Sequence, residues 1–227
     1  MVINELLNNN LFSIFFTLFC ITILINGTNF TDGINTLVIG YYLIVLLSIA
    51  LIFNILEIQP ENHFIFKFIP ILIIFFIFNV LGKSFLGDGG SYALSFIIGI
   101  YLIDLSNFNY QISPWFVALL LWYPAFENLF SIIRRQRYSF KLVKADTLHL
   151  HHLLFLLLKR KTKYGYLAAN FLTSFLINIF NAATIMLGSF FYNNTEALVL
   201  LVSFNIAIYV NTYIYLTNYF KKYSSMK

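Results

Sequence analysis

Charge is what this sequence has least of. Only 10% of its 227 residues are Asp, Glu, Lys or Arg, whereas 60% are hydrophobic and the mean hydropathy is +0.81. No soluble domain of this size hides so much apolar surface, so a water-soluble enzyme or binding module is excluded. Period-two alternation is absent too, which argues against a barrel of strands. One cysteine, Cys20, excludes an intrachain disulfide and leaves the redox compartment open. The segment Met1 to Asn10 holds no Lys or Arg ahead of the first apolar run, so a cleaved signal peptide is not expected.

What is present is continuous apolar sequence rich in Ile, Leu and Phe, of the kind that crosses a hydrocarbon core about 30 Å thick as helices. The expectation is an all-α fold: a polytopic transmembrane helical bundle of about seven spans, with residues 1–227 forming a single integral-membrane domain. The spans read as Leu11–Ile25, Ile34–Leu56, Phe64–Val80, Tyr92–Asp104, Pro114–Ile133, Tyr166–Phe191 and Ala197–Phe220. The first and fourth are short for a helix perpendicular to the membrane, which needs about 20 residues. Alternating sides through these spans gathers nearly all the Lys and Arg at one surface, including Lys83, Arg134 to Lys163 and Lys221 to Lys227, and leaves only Lys67 at the other. Short cytoplasmic loops carry that excess, so the basic surface is expected to be cytoplasmic. The formal charge of +5 is thus a topology signal and not a nucleic-acid footprint.

Three polar clusters fall on that surface. In Phe85-Leu86-Gly87-Asp88-Gly89-Gly90-Ser91 a carboxylate sits among glycines where lipid begins to replace water. Ionisable groups there are costly and mark functional sites, and a following helix start presents amides to an anion. The plainer reading is a tight turn in which Gly89 or Gly90 takes a positive φ; Ser91 can cap the helix by itself, which leaves Asp88 without a structural duty. In Asn26-Gly27-Thr28-Asn29-Phe30-Thr31-Asp32-Gly33, Asp32 reads as a helix cap or as a ligand, and two asparagines add more polarity than a cap requires. In Asp146-Thr147-Leu148-His149-Leu150-His151-His152 the histidines suit zinc, a solvated interfacial helix, or phosphate and sugar contact. On a helix, His149 and His152 share a face while His151 points elsewhere. No HExxH or cysteine pair supports zinc.

Taken in order, Asn26-x-x-Asn29-x-x-Asp32-Gly33, Phe85-Leu86-Gly87-Asp88-x-Gly90-Ser91, Pro124-x-x-Glu127 with Arg134-Arg135, and Asp146-x-x-His149-x-His151-His152 form a set. That set resembles the motifs of the polyprenyl-phosphate N-acetylhexosamine-1-phosphate transferases, glycosyltransferase family 4, which includes phospho-N-acetylmuramoyl-pentapeptide transferase. The resemblance runs from about Leu11 to about Lys163. It implies Mg²⁺-dependent transfer of an N-acetylhexosamine-1-phosphate from a UDP-sugar to undecaprenyl or another polyprenyl phosphate, with release of UMP, in cell-envelope polysaccharide synthesis at the cytoplasmic face of a bacterial plasma membrane. It also implies Asp88 and Asp32 as catalytic and Mg²⁺-binding residues. Substrate contacts would come from Asn26, Asn29, Lys83, Arg134, Arg135, His149, His151 and His152. Glu127 reads either as facing that site or as an interfacial carboxylate paired with a basic group.

The family carries an Asp-Asp-x-x-Asp motif in an earlier loop, and this sequence has no adjacent Asp pair. The chain is therefore expected to be the C-terminal portion of such an enzyme and inactive or nearly so alone, with a second chain as one source of the missing helices. Two other classes stay open. A transporter subunit would use Asn170, Asn178 and Asn181, with Asn205, Asn211 and Asn218, as a polar pathway, although interhelical bonding is the ordinary role of such amides. A non-catalytic membrane scaffold would need none of these groups.

Overall fold

The computed structural model describes residues 9–59, 64–109, 111–137, 148–161 and 165–224. The described residues form eight α-helices and one 3₁₀ turn, with no strand among them. In chain order the helices are α1 (Asn10–Thr31), α2 (Leu37–Ile55), α3 (Phe68–Val80, after the 3₁₀ turn Phe64–Lys67), α4 (Gly87–Phe108), α5 (Pro114–Arg137), α6 (Leu150–Lys161), α7 (Tyr166–Ser189) and α8 (Thr195–Ser224). Six of them, α1, α2, α4, α5, α7 and α8, are long and apolar enough to cross a membrane. This is an integral-membrane helical bundle.

The span expected at Phe64–Val80 is shorter than the others: its α-helical part has 13 residues, roughly 20 Å at 1.5 Å per residue, against a core of about 30 Å. The two spans that read as short are both full length. Helix α1 continues through Asn26–Thr31, and α4 begins at Gly87, so each has 22 residues. The positive φ falls at Gly87, not at Gly89 or Gly90. Ser91 does not cap α4; its hydroxyl donates to the Asp88 carbonyl at 3.0 Å.

Packing sets the order of the bundle. Helix α1 lies against α4 and α5, α2 against α7 and α3, α5 against α8, and the amphipathic α6 rests on α7 and α8. Pro124 stands inside α5 and has no amide to donate to the Leu120 carbonyl one turn back, a deficit that lipid offers no means to repair. The Tyr41 hydroxyl of α2 donates to that carbonyl at 2.9 Å. Gly27 of α1 meets the Pro124 carbonyl so closely that a Cβ there would lie 1.9 Å from the oxygen. Proline and glycine together bring three helices into contact below the polar end.

Four asparagines of α7 and α8 bind neighbouring elements, while Asn211 donates within α8 to the Ala207 carbonyl. Asn170 accepts from the Asn35 amide at 2.9 Å, Asn178 donates to the Thr36 carbonyl at 3.1 Å, Asn181 accepts from the Trp122 indole at 2.8 Å, and Asn205 donates to the Thr184 hydroxyl at 3.3 Å. Such bonds are the usual glue between helices in a membrane. At the opposite end of the bundle the Ser113 amide bonds the Tyr192 carbonyl at 2.9 Å, tying the start of α5 to the turn between α7 and α8.

Candidate functional site

The polar end of the bundle is built from three helix termini. Asn29, in the last turn of α1, donates its amide to Asp88 Oδ1 at 2.8 Å and to Ser91 Oγ at 3.3 Å, both in the first turn of α4. Two clusters 59 residues apart in sequence are thereby one structure. Nothing lies within 4 Å of where a Cβ would stand on Gly87 or Gly89, so the backbone at the start of α4 is open to approach from outside. A helix start of this kind, with amides unpaired inside the helix, favours anions.

Asp32 closes α1. Its amide bonds the Thr28 and Asn29 carbonyls, so it is the C-terminal cap of α1 and not the N-cap of α2, which is Thr36 and makes no side-chain cap bond. Burial pushes the Asp32 carboxyl up to about 7, the Gly87 amide pulls the other way, and the charge of Asp88 adds to the rise. Asp32 and Asp88 therefore share one electrostatic neighbourhood. The turn is braced from behind: Thr36, held at φ +65°, bonds Ser174 at 2.6 Å through its hydroxyl and Asn79 through its amide, and Asn79 in turn donates to the Ser84 carbonyl at 2.6 Å.

The histidines pack over this turn. A Cβ on Gly33 would lie 3.2 Å from His151 Nε2 and 2.8 Å from His152 Cε1, so glycine is what lets the imidazoles come down beside Asp32. The helical-face reading, with His151 turned away from the other two, does not hold. His149 precedes α6, and its ring stacks on His151 at 5.5 Å and 10°, while His151 and His152 are 4.3 Å apart. His151 is fully buried, and neither ring nitrogen has a partner among the described residues. Burial, then His152 and His149, hold its basicity well below the ordinary histidine range, so it is a neutral imidazole. Asp146 lies outside the described residues.

The remaining candidates divide. Arg135 lies over the Phe30 ring at 6.0 Å, next to the Asn29–Asp32 turn. Arg134 is buried and serves the protein itself: its guanidinium donates to the Leu148 carbonyl at 2.8 Å and to the Tyr213 hydroxyl at 3.2 Å. The Asn26 amide turns back to the Thr22 carbonyl at 2.9 Å. Lys83 is exposed in the turn before α4, with only its backbone amide bonded, to the Phe78 carbonyl, among the described contacts. The sequence left Glu127 undecided, and it is fully buried with Oε1 2.8 Å from His149 Nδ1. The spacing Glu127, Ser131, Arg134 was the available signal, since it places all three on one face of α5.

Asp88, held by Asn29 in the open first turn of α4, and Asp32, in the same electrostatic neighbourhood, could hold Mg²⁺, which binds through one or two carboxylates, retains waters and takes phosphate oxygens as further ligands. The proton affinity of Asp32 is raised chiefly by burial, and the charge of Asp88 adds to it. Among the described residues no three His, Cys, Asp or Glu side chains are grouped so as to hold a metal ion.

Residues 1–106, through α4, match the sequence model of Glycosyl transferase family 4. The undecaprenyl-phosphate alpha-N-acetylglucosaminyl 1-phosphate transferases of Escherichia coli strain K12 and of Shigella flexneri are each 30% identical over 156 residues, covering 63% of this chain and 41% of each relative. The chain thus spans about two fifths of the length of those relatives. No solved structure matches it significantly. Asn29, Asp32 and Asp88 all lie inside the segment of this membrane protein that matches glycosyl transferase family 4.

Proposed function

We propose that this chain forms the donor half of a site that transfers N-acetylhexosamine-1-phosphate from a UDP-sugar to polyprenyl phosphate, releasing UMP, at the cytoplasmic surface of a bacterial plasma membrane. The observation that carries this reading is the Asn29–Asp88 bond at 2.8 Å, with Asp32 beside it and the glycine backbone of α4 open above. Phosphoryl transfer between two anions needs their charge offset and their oxygens aligned more than it needs covalent help from the protein.

Each residue then has a defined task. Asn29 orients the Asp88 carboxylate, and the amides at the start of α4 face the diphosphate. Asp88 and Asp32 would hold Mg²⁺, which when bound supplies positive charge to the diphosphate oxygens. Neutral His151, with His152 beside it, offers hydrogen bonds without adding charge, and Arg135 supplies a cation at the rim. Polyprenyl phosphate would approach from the membrane side and the UDP-sugar from water.

The paired aspartates that the family carries in an earlier loop are absent from these 227 residues. We therefore expect little turnover from this chain alone and more when a polypeptide carrying that motif is supplied. Membranes containing the chain, with and without such a partner, are incubated with UDP-N-acetylglucosamine, undecaprenyl phosphate and Mg²⁺, and UMP release is measured. Release that requires Mg²⁺ and is lost in Asp88→Asn supports the transferase reading. If neither preparation releases UMP nor binds the UDP-sugar, the reading fails.

A further inference from the structure

A carboxylate removed from water inside a helical bundle is costly unless a hydrogen-bonding partner meets it. Glu127 is 0% exposed, and its Oε1 lies 2.8 Å from Nδ1 of His149, itself 3% exposed. The contact belongs to a ladder along one face of α5. Ser131, one turn on, places its hydroxyl 3.3 Å from the same Nδ1, and Arg134 donates to the carbonyl of Leu148, the residue before His149. Three side chains of a rigid membrane helix thus hold the backbone and ring of the residue that leads into α6. The ring so held stacks on His151, whose Nε2 abuts Gly33 beside Asp32.

We infer that Glu127 is a positioning residue for His149: its carboxylate accepts the Nδ1 hydrogen, fixes the tautomer and the plane of the ring, and so sets the role of Nε2 on the opposite edge. A ring nitrogen's protonation is settled by the bond its partner nitrogen makes, and a carboxylate behind an imidazole is a strong way to settle it. The ring-to-ring packing then carries that orientation to His151 and His152 over the Asp32 turn. Only the question of what His149 is aimed at rests on the transferase reading.

The test uses the full 227-residue chain in detergent with ¹⁵N-labelled histidine. The chain has four histidines, and the His149 signals are assigned by their loss in His149→Gln. The expected spectrum shows His149 protonated at Nδ1 with a downfield proton. In Glu127→Gln, which keeps the shape of the side chain, that proton moves upfield because a neutral amide is a weaker acceptor than a carboxylate. A His149 proton found on Nε2 alone, or a signal indifferent to Glu127→Gln, overturns the inference.

A second arm measures UDP-N-acetylglucosamine affinity in the presence of Mg²⁺. Loss of such an outer partner is expected to weaken binding about 10-fold in Glu127→Gln, with the thermal midpoint kept. Unchanged affinity also overturns the positioning role. If the unmodified chain does not bind the UDP-sugar, the transferase reading falls while the tautomer spectrum still decides the role of Glu127.

Discussion

Burial first, and the charge of Asp88 after it, make Asp32 keep its proton up to about pH 7. The unfolded chain releases that proton near an ordinary carboxyl value of about 3.9. Between those two values the folded protein binds a proton that the unfolded protein has lost, so stability falls as pH rises from about 4 to about 7 and is level above. The thermal midpoint in detergent should decline over that window, and Asp32→Asn should flatten the decline. Mg²⁺ should raise the midpoint more at pH 8, where both groups are charged, than at pH 5. A cation effect equal at both values would remove Asp32 from the metal site. Gly33 offers a steric counterpart. Gly33→Ala puts a Cβ 2.8 Å from His152 Cε1, and the rings must move. Overpacking of this kind costs on the order of 1–3 kcal/mol. UDP-sugar affinity is expected to fall in the same variant, and full retention of affinity would show that the imidazoles do not contact the donor.

Helix α5 organises the site more than its sequence suggests. Pro124 opens the helix, Tyr41 closes the gap, and Gly27 fits α1 against the Pro124 carbonyl. Between them and the polar end, Glu127, Ser131 and Arg134 hold the approach to α6. Tyr41→Phe leaves the Leu120 carbonyl unmet in a dry interior and should destabilise the protein by about 1–3 kcal/mol, read as loss of midpoint in a thermal or denaturant titration. A neutral Tyr41→Phe would mean that water or another donor reaches Leu120. Continuous apolar runs made the spanning helices legible in the sequence, but they did not give the ends of α1 and α4. Asn, Gly and Thr are poor helix formers, so Asn26–Thr31 and Gly87–Gly90 read as loop. Tertiary bonds from Asn29 to Asp88 and Ser91 hold those turns in helix, and no local pattern reports a partner 59 residues away. The histidine cluster departs from a single helical wheel for a related reason: its residues straddle the start of α6 at Leu150.

At the scale of the whole molecule, charge and site coincide. Asn29, Asp88 and the histidines join the ends of α1, α4 and α6, while Arg134, from the end of α5, reaches Tyr213 toward the end of α8. The same end carries Lys83, Arg135, Lys159, Arg160, Lys161, Lys221 and Lys222, whereas Lys67 stands before α3 at the other. In the proposed transfer a donor soluble in water and a lipid acceptor meet at a membrane surface, and the Lys and Arg excess supports the proposal that this surface is cytoplasmic. Cys20 is the only cysteine, so its replacement by Ser gives a background for labelling from either side. Exposed Lys83 and Lys221, changed to Cys one at a time, should react with an impermeant thiol reagent only from the cytoplasmic side of oriented vesicles. Exposed Gln111 and Asn193, at the opposite end, should react only from the outer side once changed to Cys. Labelling of Lys83→Cys from outside would put Asp88 on the wrong surface for a nucleotide-sugar donor, and the proposed transfer would lose its substrate.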